Sequence, residues 1–183
     1  MEARNSMFQK ILIALDRSDS SQQVFAEAIA LAKATQASVM LLHVLSPFDG
    51  EYPGSVYPAI DGIYPGLHRE TVQIYANQWQ EFEREALESL RSLSQTAIAA
   101  GVAAEFSQNF GDPGRTICEI AHTWGADLII VGRQGRSGLS EFFVGSVSNY
   151  VLHHAPCSVL TVQGLMKASQ SDHQPQSKAA IVR

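Results

Sequence analysis

The chain predicts an α/β fold, a three-layer sandwich in which helices cover both faces of a mainly parallel sheet. Three observations carry this. Short runs such as Ile11 to Leu15 and Val39 to Leu45 are mostly apolar rather than alternating, as strands buried on both faces require. Segments with helical spacing of apolar residues lie between them. Strand and helix alternate along the chain, which implies right-handed crossovers, five strands and about four helices.

Taken in order, Phe8 to Leu15 is the first strand and closes on Asp16. A serine-rich turn follows, in which Ser20 and Gln23 have capping-box spacing. Val24, Ala28, Leu31 and Ala32 then mark a helix. Ser38 to Leu45 is the second strand. Residues 46–68 alternate Pro47, Pro53, Pro58 and Pro65 with Gly50, Gly54, Gly62 and Gly66 around Tyr52, Tyr57 and Tyr64. This reads as a long loop, a lid or a partner surface. Tyr75, Trp79, Phe82, Ala86, Leu90, Leu93 and Ala97 give a long amphipathic helix stopped by Gly101. Val102 to Asn109 is the third strand. Asp112 and Pro113 supply an N-cap and a first helical residue, and Ile117, Ile120, Ala121 and Trp124 give that helix its apolar face before Gly125. Asp127 to Val131 is the fourth strand, Ser146 to His154 a short helix, and Cys157 to Val162 the fifth strand. Residues 1–163 are expected to form one domain. The polar residues 164–183 are expected to lack fixed structure until bound to something.

Composition narrows the function. The 183 residues include 18 acidic and 13 basic side chains, a net charge of −5. That balance argues against a nucleic-acid surface, which needs a basic face, but leaves a nucleotide open. Two cysteines, Cys118 and Cys157, imply no disulfide framework. No apolar run approaches the roughly 20 residues of a membrane helix, and the first residues hold no signal-peptide core. The expectation is a cytoplasmic protein that does not engage a membrane.

Gly132, Arg133, Gln134 and Gly135, followed by Gly145 and Ser146, stand between a strand and a helix start. Glycines admit close approach of an anion to the backbone, and a helix N-terminus offers unpaired N–H groups and partial positive charge. Isolated glycines are usually turn residues. Here Arg133 and Arg136 add cations, and Ser137, Ser140, Ser146 and Ser148 add hydroxyls, which favours a phosphate cradle. Asp16 shares that edge of the sheet. It could cap the next helix, receive a ribose hydroxyl, or place Mg²⁺ together with phosphate oxygens. Val44 is first a core residue, but backbone at the end of its strand could read the edge of a base. His43 reads as a satisfied core histidine, and His153 and His154 as complements to a helix C-terminus. Cys118 with His122 lacks a second ligand pair for zinc. Trp79 and Trp124 read as core. The Walker pattern, the dinucleotide fingerprint and the G-x-S-x-G elbow are absent.

The pattern Gly132-x2-Gly135-x9-Gly145-Ser146 resembles the nucleotide-binding motif of the universal stress protein family, in its ATP-binding branch. Ile11 to Asp16, Asp127 to Gly132 and Pro156 to Val162 resemble that family's first and last two strands, and the similarity spans about residues 7–163. The resemblance implies an adenine nucleotide alpha hydrolase-like fold. It also implies a homodimer paired through the last strand, at Val159, Leu160, Thr161 and Val162. By position, Ala14, Asp16 and Val44 would meet ribose and adenine. Gly132, Gly135, Gly145 and Ser146 would hold ribose and phosphates, with Arg133, Arg136, Val147 and Ser148 nearby. Arg17 departs from the small residue common after the aspartate, and could add a phosphate partner or crowd the ribose. The implied ligand is ATP, or ADP or AMP, with Mg²⁺ at Asp16 through the phosphates. The implied role is a stress-response or signalling module with an unknown protein partner. A slow ATPase or nucleotide hydrolase, a sensor of AMP or a cyclic dinucleotide, and a nucleotide-free structural dimer are the alternatives.

Replacing Gly135 by Val is expected to weaken ATP binding while leaving the fold intact, because the side chain would stand where a phosphate should lie. Titration calorimetry beside a thermal melt checks this; normal affinity in the variant would break the phosphate assignment.

Overall fold

The computed structural model describes residues 7–18, 20–46, 65–133 and 144–163, the side chains of 65–72 and of residue 75 excepted. Within them, strands and helices alternate as β1 (Lys10–Ala14), α1 (Ser21–Thr35), β2 (Ser38–Leu45), α2 (Pro65–Ala99), β3 (Ala104–Phe110), α3 (Pro113–Trp124), β4 (Leu128–Gly132), α4 (Ser146–His154) and β5 (Ser158–Val162). The strands form one five-stranded sheet in the order β3-β2-β1-β4-β5, and every pairing is parallel.

Alternation along the central strand divides the core. Ile11 and Ile13 of β1 pack with Val24 and Ala28 of α1 and Leu90 and Ala97 of α2. Leu12 faces the other way, onto Ile117 and Ala121 of α3 and Val151 of α4. Burying each of these Val, Leu and Ile side chains is worth roughly 1.5–3 kcal/mol. A smaller group of Leu45, Phe82 and Ala86, with Trp79 against it, closes the sheet's carboxyl end beneath α2.

Local chemistry sets both ends of α3 and the end of α1. Asp112 Oδ1 accepts the Arg115 N–H at 2.9 Å, capping α3 behind Pro113, and Gly125 ends it at φ 73°. α1 stops without a glycine: Gln36 takes φ 58°, and the Ala37 N–H reaches the Ala32 carbonyl at 3.0 Å.

Three expectations are corrected. α2 begins at Pro65, so residues 65–68 are helical rather than the end of a loop; proline without an N–H is well suited to the first helical position. Residues 47–64 and 164–183 lie outside the described residues. The capping box of Ser20 and Gln23 does not form: Ser20 makes no side-chain cap, and the Gln23 amide donates to Glu27 instead. Neither tryptophan is fully buried. Trp124 donates its indole N–H to Glu105 at 2.6 Å with Lys10 over its ring, and Trp79 lies beside Phe110, which is 57% exposed.

α3 and α4 meet closely at Gly114. A Cβ there would stand 2.8 Å from Tyr150 Cδ1 and 2.9 Å from Tyr150 Cβ, and the latter cannot swing aside. Gly114→Ala should therefore lower unfolding free energy in urea by about 1–3 kcal/mol. Adding Tyr150→Ala should recover part of that loss, and simple additivity of the two changes would refute the contact.

Candidate functional site

The strand order reverses between β1 and β4. From β1 the chain proceeds outward to β2 and β3 on one side, and β4 and β5 occupy the other. Open parallel sheets bind ligands beyond the carboxyl ends of their strands at such a switch point. The register fixes which residues arrive there. Ala14 pairs with Leu42 of β2 and with Val131 of β4, and the Leu15 N–H continues the ladder to the Leu42 carbonyl at 2.9 Å. Counting onward, Asp16 comes level with Val44, and Gly132 stands across from Leu15. Ala14, Val44 and Val131 all belong to the apolar layer under α3 and α4.

Asp16 lies at the centre of a hydroxyl-built turn. Its Oδ1 accepts three bonds, from the Ser18 N–H at 3.1 Å and from the Ser18 and Ser21 hydroxyls at 2.5 Å each. The Asp16 N–H donates to Ser21 Oγ at 3.1 Å, and the Ser18 and Ser20 hydroxyls pair at 2.8 Å. Asp16 therefore does not cap α1 by accepting its first N–H groups; it orders the turn that leads into it. Among the described residues nothing donates to its Oδ2, so one oxygen fixes the carboxylate and the other keeps its accepting capacity. Arg17 leaves the turn toward α2, its Nη2 3.2 Å from Glu85 Oε2 and its guanidinium 4.9 Å from the Phe82 ring centroid.

Across the switch point, the start of α4 is tied to the end of β4. The Gly145 N–H donates to the Arg133 carbonyl at 2.8 Å, and the Asn149 N–H to the Gly145 carbonyl at 2.8 Å. Ser148, only 5% exposed, donates its hydroxyl to the Gly132 carbonyl at 2.5 Å. That proton is spent on the fold rather than offered to an anion. Gly145 has no side chain with which to cap, and the N–H groups of Ser146, Val147 and Ser148 have no acceptor among the described residues. A helix end in this state carries about half a positive charge. The Arg133 side chain donates to Gln163 Oε1 at 2.7 Å, and its N–H to the Val162 carbonyl at 2.7 Å. Residues 134–143, with Gly135 and Arg136, lie outside the described residues.

The remaining candidates separate cleanly. His43 is buried in β2. His154 shares a 2.8 Å hydrogen bond with the Tyr150 carbonyl and stacks on the Tyr150 ring, in keeping with a helix C-terminal role. Burial raises the pKa of both cysteine thiols, which suits packing better than ligation. Among the described residues no three of His, Cys, Asp and Glu cluster as a metal site, and no helix is long and apolar enough to cross a membrane. Val159 to Val162 lie in β5 at one edge of the sheet, where Leu160 is 41% exposed; Leu152 of α4 is also exposed. A groove lined by Lys33, Gln36 and Gly101 opens at the opposite, amino ends of the strands, away from the switch point.

Comparison with known proteins agrees with this layout. The universal stress protein family matches residues 7–163. Universal stress protein Sll1388 of Synechocystis is 40% identical over 160 residues, covering 85% of this chain and 98% of its own. The solved structure of UspA from Lactobacillus plantarum has TM-score 0.67 at 26% identity, covering 86% of this chain and 99% of its own. A universal stress protein solved in complex with cAMP has TM-score 0.54 at 25% identity, covering 85% and 96% of the two chains.

Ser148→Ala should cost about 1 kcal/mol of stability, read from chemical denaturation, because it frees the Gly132 carbonyl from the start of α4. An unchanged midpoint would mean that the Ser148 hydroxyl does not hold this junction.

Proposed function

Because this chain belongs to the universal stress protein family, we propose that it binds an adenine nucleotide, ATP foremost, beyond the ends of β1 and β4. The observation that carries this is a pairing of opposites across the switch point. Among the described residues, an oriented carboxylate with one unengaged oxygen stands on one side, and a helix N-terminus with no side-chain cap and three N–H groups lacking acceptors stands on the other. Nucleosides present hydroxyl donors, and their phosphates present anionic acceptors, so this polarity suits a nucleotide read from ribose to phosphate. Asp16 would accept a ribose hydroxyl, with Ala14 and Val44 beneath the base. Gly132, Gly145, Ser146 and Val147 would meet ribose and phosphates, with Gly135 and Arg136 completing the loop. Ser148 and Arg133 shape the cradle from behind. Any Mg²⁺ would arrive with the phosphates and take Asp16 Oδ2 as a ligand. The complex of a relative with cAMP supports the adenine class and keeps AMP and cyclic nucleotides as competitors.

We read the protein as a nucleotide-dependent stress-response or signalling module working in the cytoplasm. Residues 7–163 form its nucleotide-binding unit. Two copies would pair through β5, whose Val159 and Leu160 are partly exposed. An unidentified protein partner would read the nucleotide state.

The test begins by denaturing purified protein and identifying any released nucleotide by mass spectrometry, followed by melts with ATP, ADP, AMP and cAMP. A ligand at about 100 times its Kd should stabilise the native state by about 2.7 kcal/mol. Asp16→Ala should shrink that stabilisation. No released nucleotide together with no shift from any of the four would overturn the reading.

A further inference from the structure

We infer that Arg17 is a positioning residue for the nucleotide site, pinning the Asp16 turn to α2 and to the end of β2 instead of meeting phosphate. The inference rests on the nucleotide reading above and adds to it. The side-chain hydrogen bonds of Asp16, Ser18 and Ser20 run within the turn and to Ser21 at the start of α1, so they order the turn and tie it to α1 but leave its attachment to α2 to another group. Arg17 supplies that attachment. Its guanidinium lies 4.9 Å from the centroid of Phe82, and Phe82 packs on Leu45, the residue after Val44. Its charge is matched by Glu85, 3.2 Å away on the same face of α2. One side chain thus joins the end of β1, the end of β2 and α2, three elements that must hold register if Asp16 and Val44 are to act on one ligand. A guanidinium stacked on a ring and paired with a carboxylate already has both kinds of partner that it seeks.

The two roles open to Arg17 separate by ligand. A pin acts on ribose through Asp16, so its loss weakens adenosine and ATP alike. A phosphate contact acts on ATP alone, and Glu85 would compete with it. The full chain is compared as wild type, Arg17→Gln, Glu85→Gln and the exchanged pair R17E/E85R. Titration calorimetry with ATP and with adenosine is combined with amide hydrogen exchange in the nucleotide-free protein. Arg17→Gln should speed exchange of the Ser18 amide, which bonds to Asp16, by about fivefold, as an exposed ion pair plus a cation–π contact allows. It should weaken both ligands by a similar factor. Glu85→Gln should weaken both less, and the exchanged pair should recover part of the loss. An unchanged Ser18 amide would overturn the pin. So would a loss of ATP affinity with adenosine unaffected, or tighter ATP binding in Glu85→Gln. If the wild type binds neither ligand, the nucleotide reading fails, and a positioning role in that site fails with it.

Discussion

The fold depends on burying β1 from four directions at once. Ile11, Leu12 and Ile13 have no exposed surface, because strands flank β1 at both edges and helices cover both of its faces. Each backbone group in such a strand must find its partner in β2 or β4, since water cannot reach it. That requirement locks the two neighbours to β1 in parallel register. A slip of one residue would turn Leu12 toward α1 and Ile13 toward α3, exchanging the two halves of the core. The level at which Asp16, Val44 and Gly132 stand is thus set by packing, before any ligand chemistry is considered.

Beyond that level the chain changes character. Side chains that are apolar inside the sheet give way to a carboxylate on one side and to bare backbone on the other. The Ser148 hydroxyl and the Gly145 N–H hold the two ends of the second side together, and among the described residues the first turn of α4 has no side-chain cap. An uncapped helix start is a modest cost in stability, and it is the kind of cost that proteins retain where the exposed N–H groups are useful.

Much of this was legible in the sequence, and the reasons differ by residue. β2 and α4 could be bounded from Ser38 to Leu45 and from Ser146 to His154 because polar or glycine punctuation stands at their ends. The start of α2 was obscured: Pro65 and Gly66 resemble the turn residues before them, yet proline is also a good first helical residue. The Asp16 network was only half visible. Serines near an aspartate indicate a turn, but which hydroxyl reaches which oxygen depends on backbone angles that composition does not encode. Ser148 looked like a phosphate donor by proximity, and only its burial shows where the proton goes. The bond between Arg17 and Glu85 spans 68 positions and leaves no local signature.

The two edges of the sheet differ, and the difference limits how copies of this chain can add together. β3 ends the sheet on one side with Glu105, Ser107, Gln108 and Asn109, and β5 on the other with Val159, Leu160 and Thr161. Charged and polar residues discourage a strand edge from accepting a neighbour. If copies pair through β5 alone, as proposed above, each subunit has a valence of one: joining two by a two-fold operation consumes both β5 edges and leaves nothing to extend. Growth by edge pairing is then self-terminating, so a protein that accumulates to high concentration could do so without laying down an open fibre.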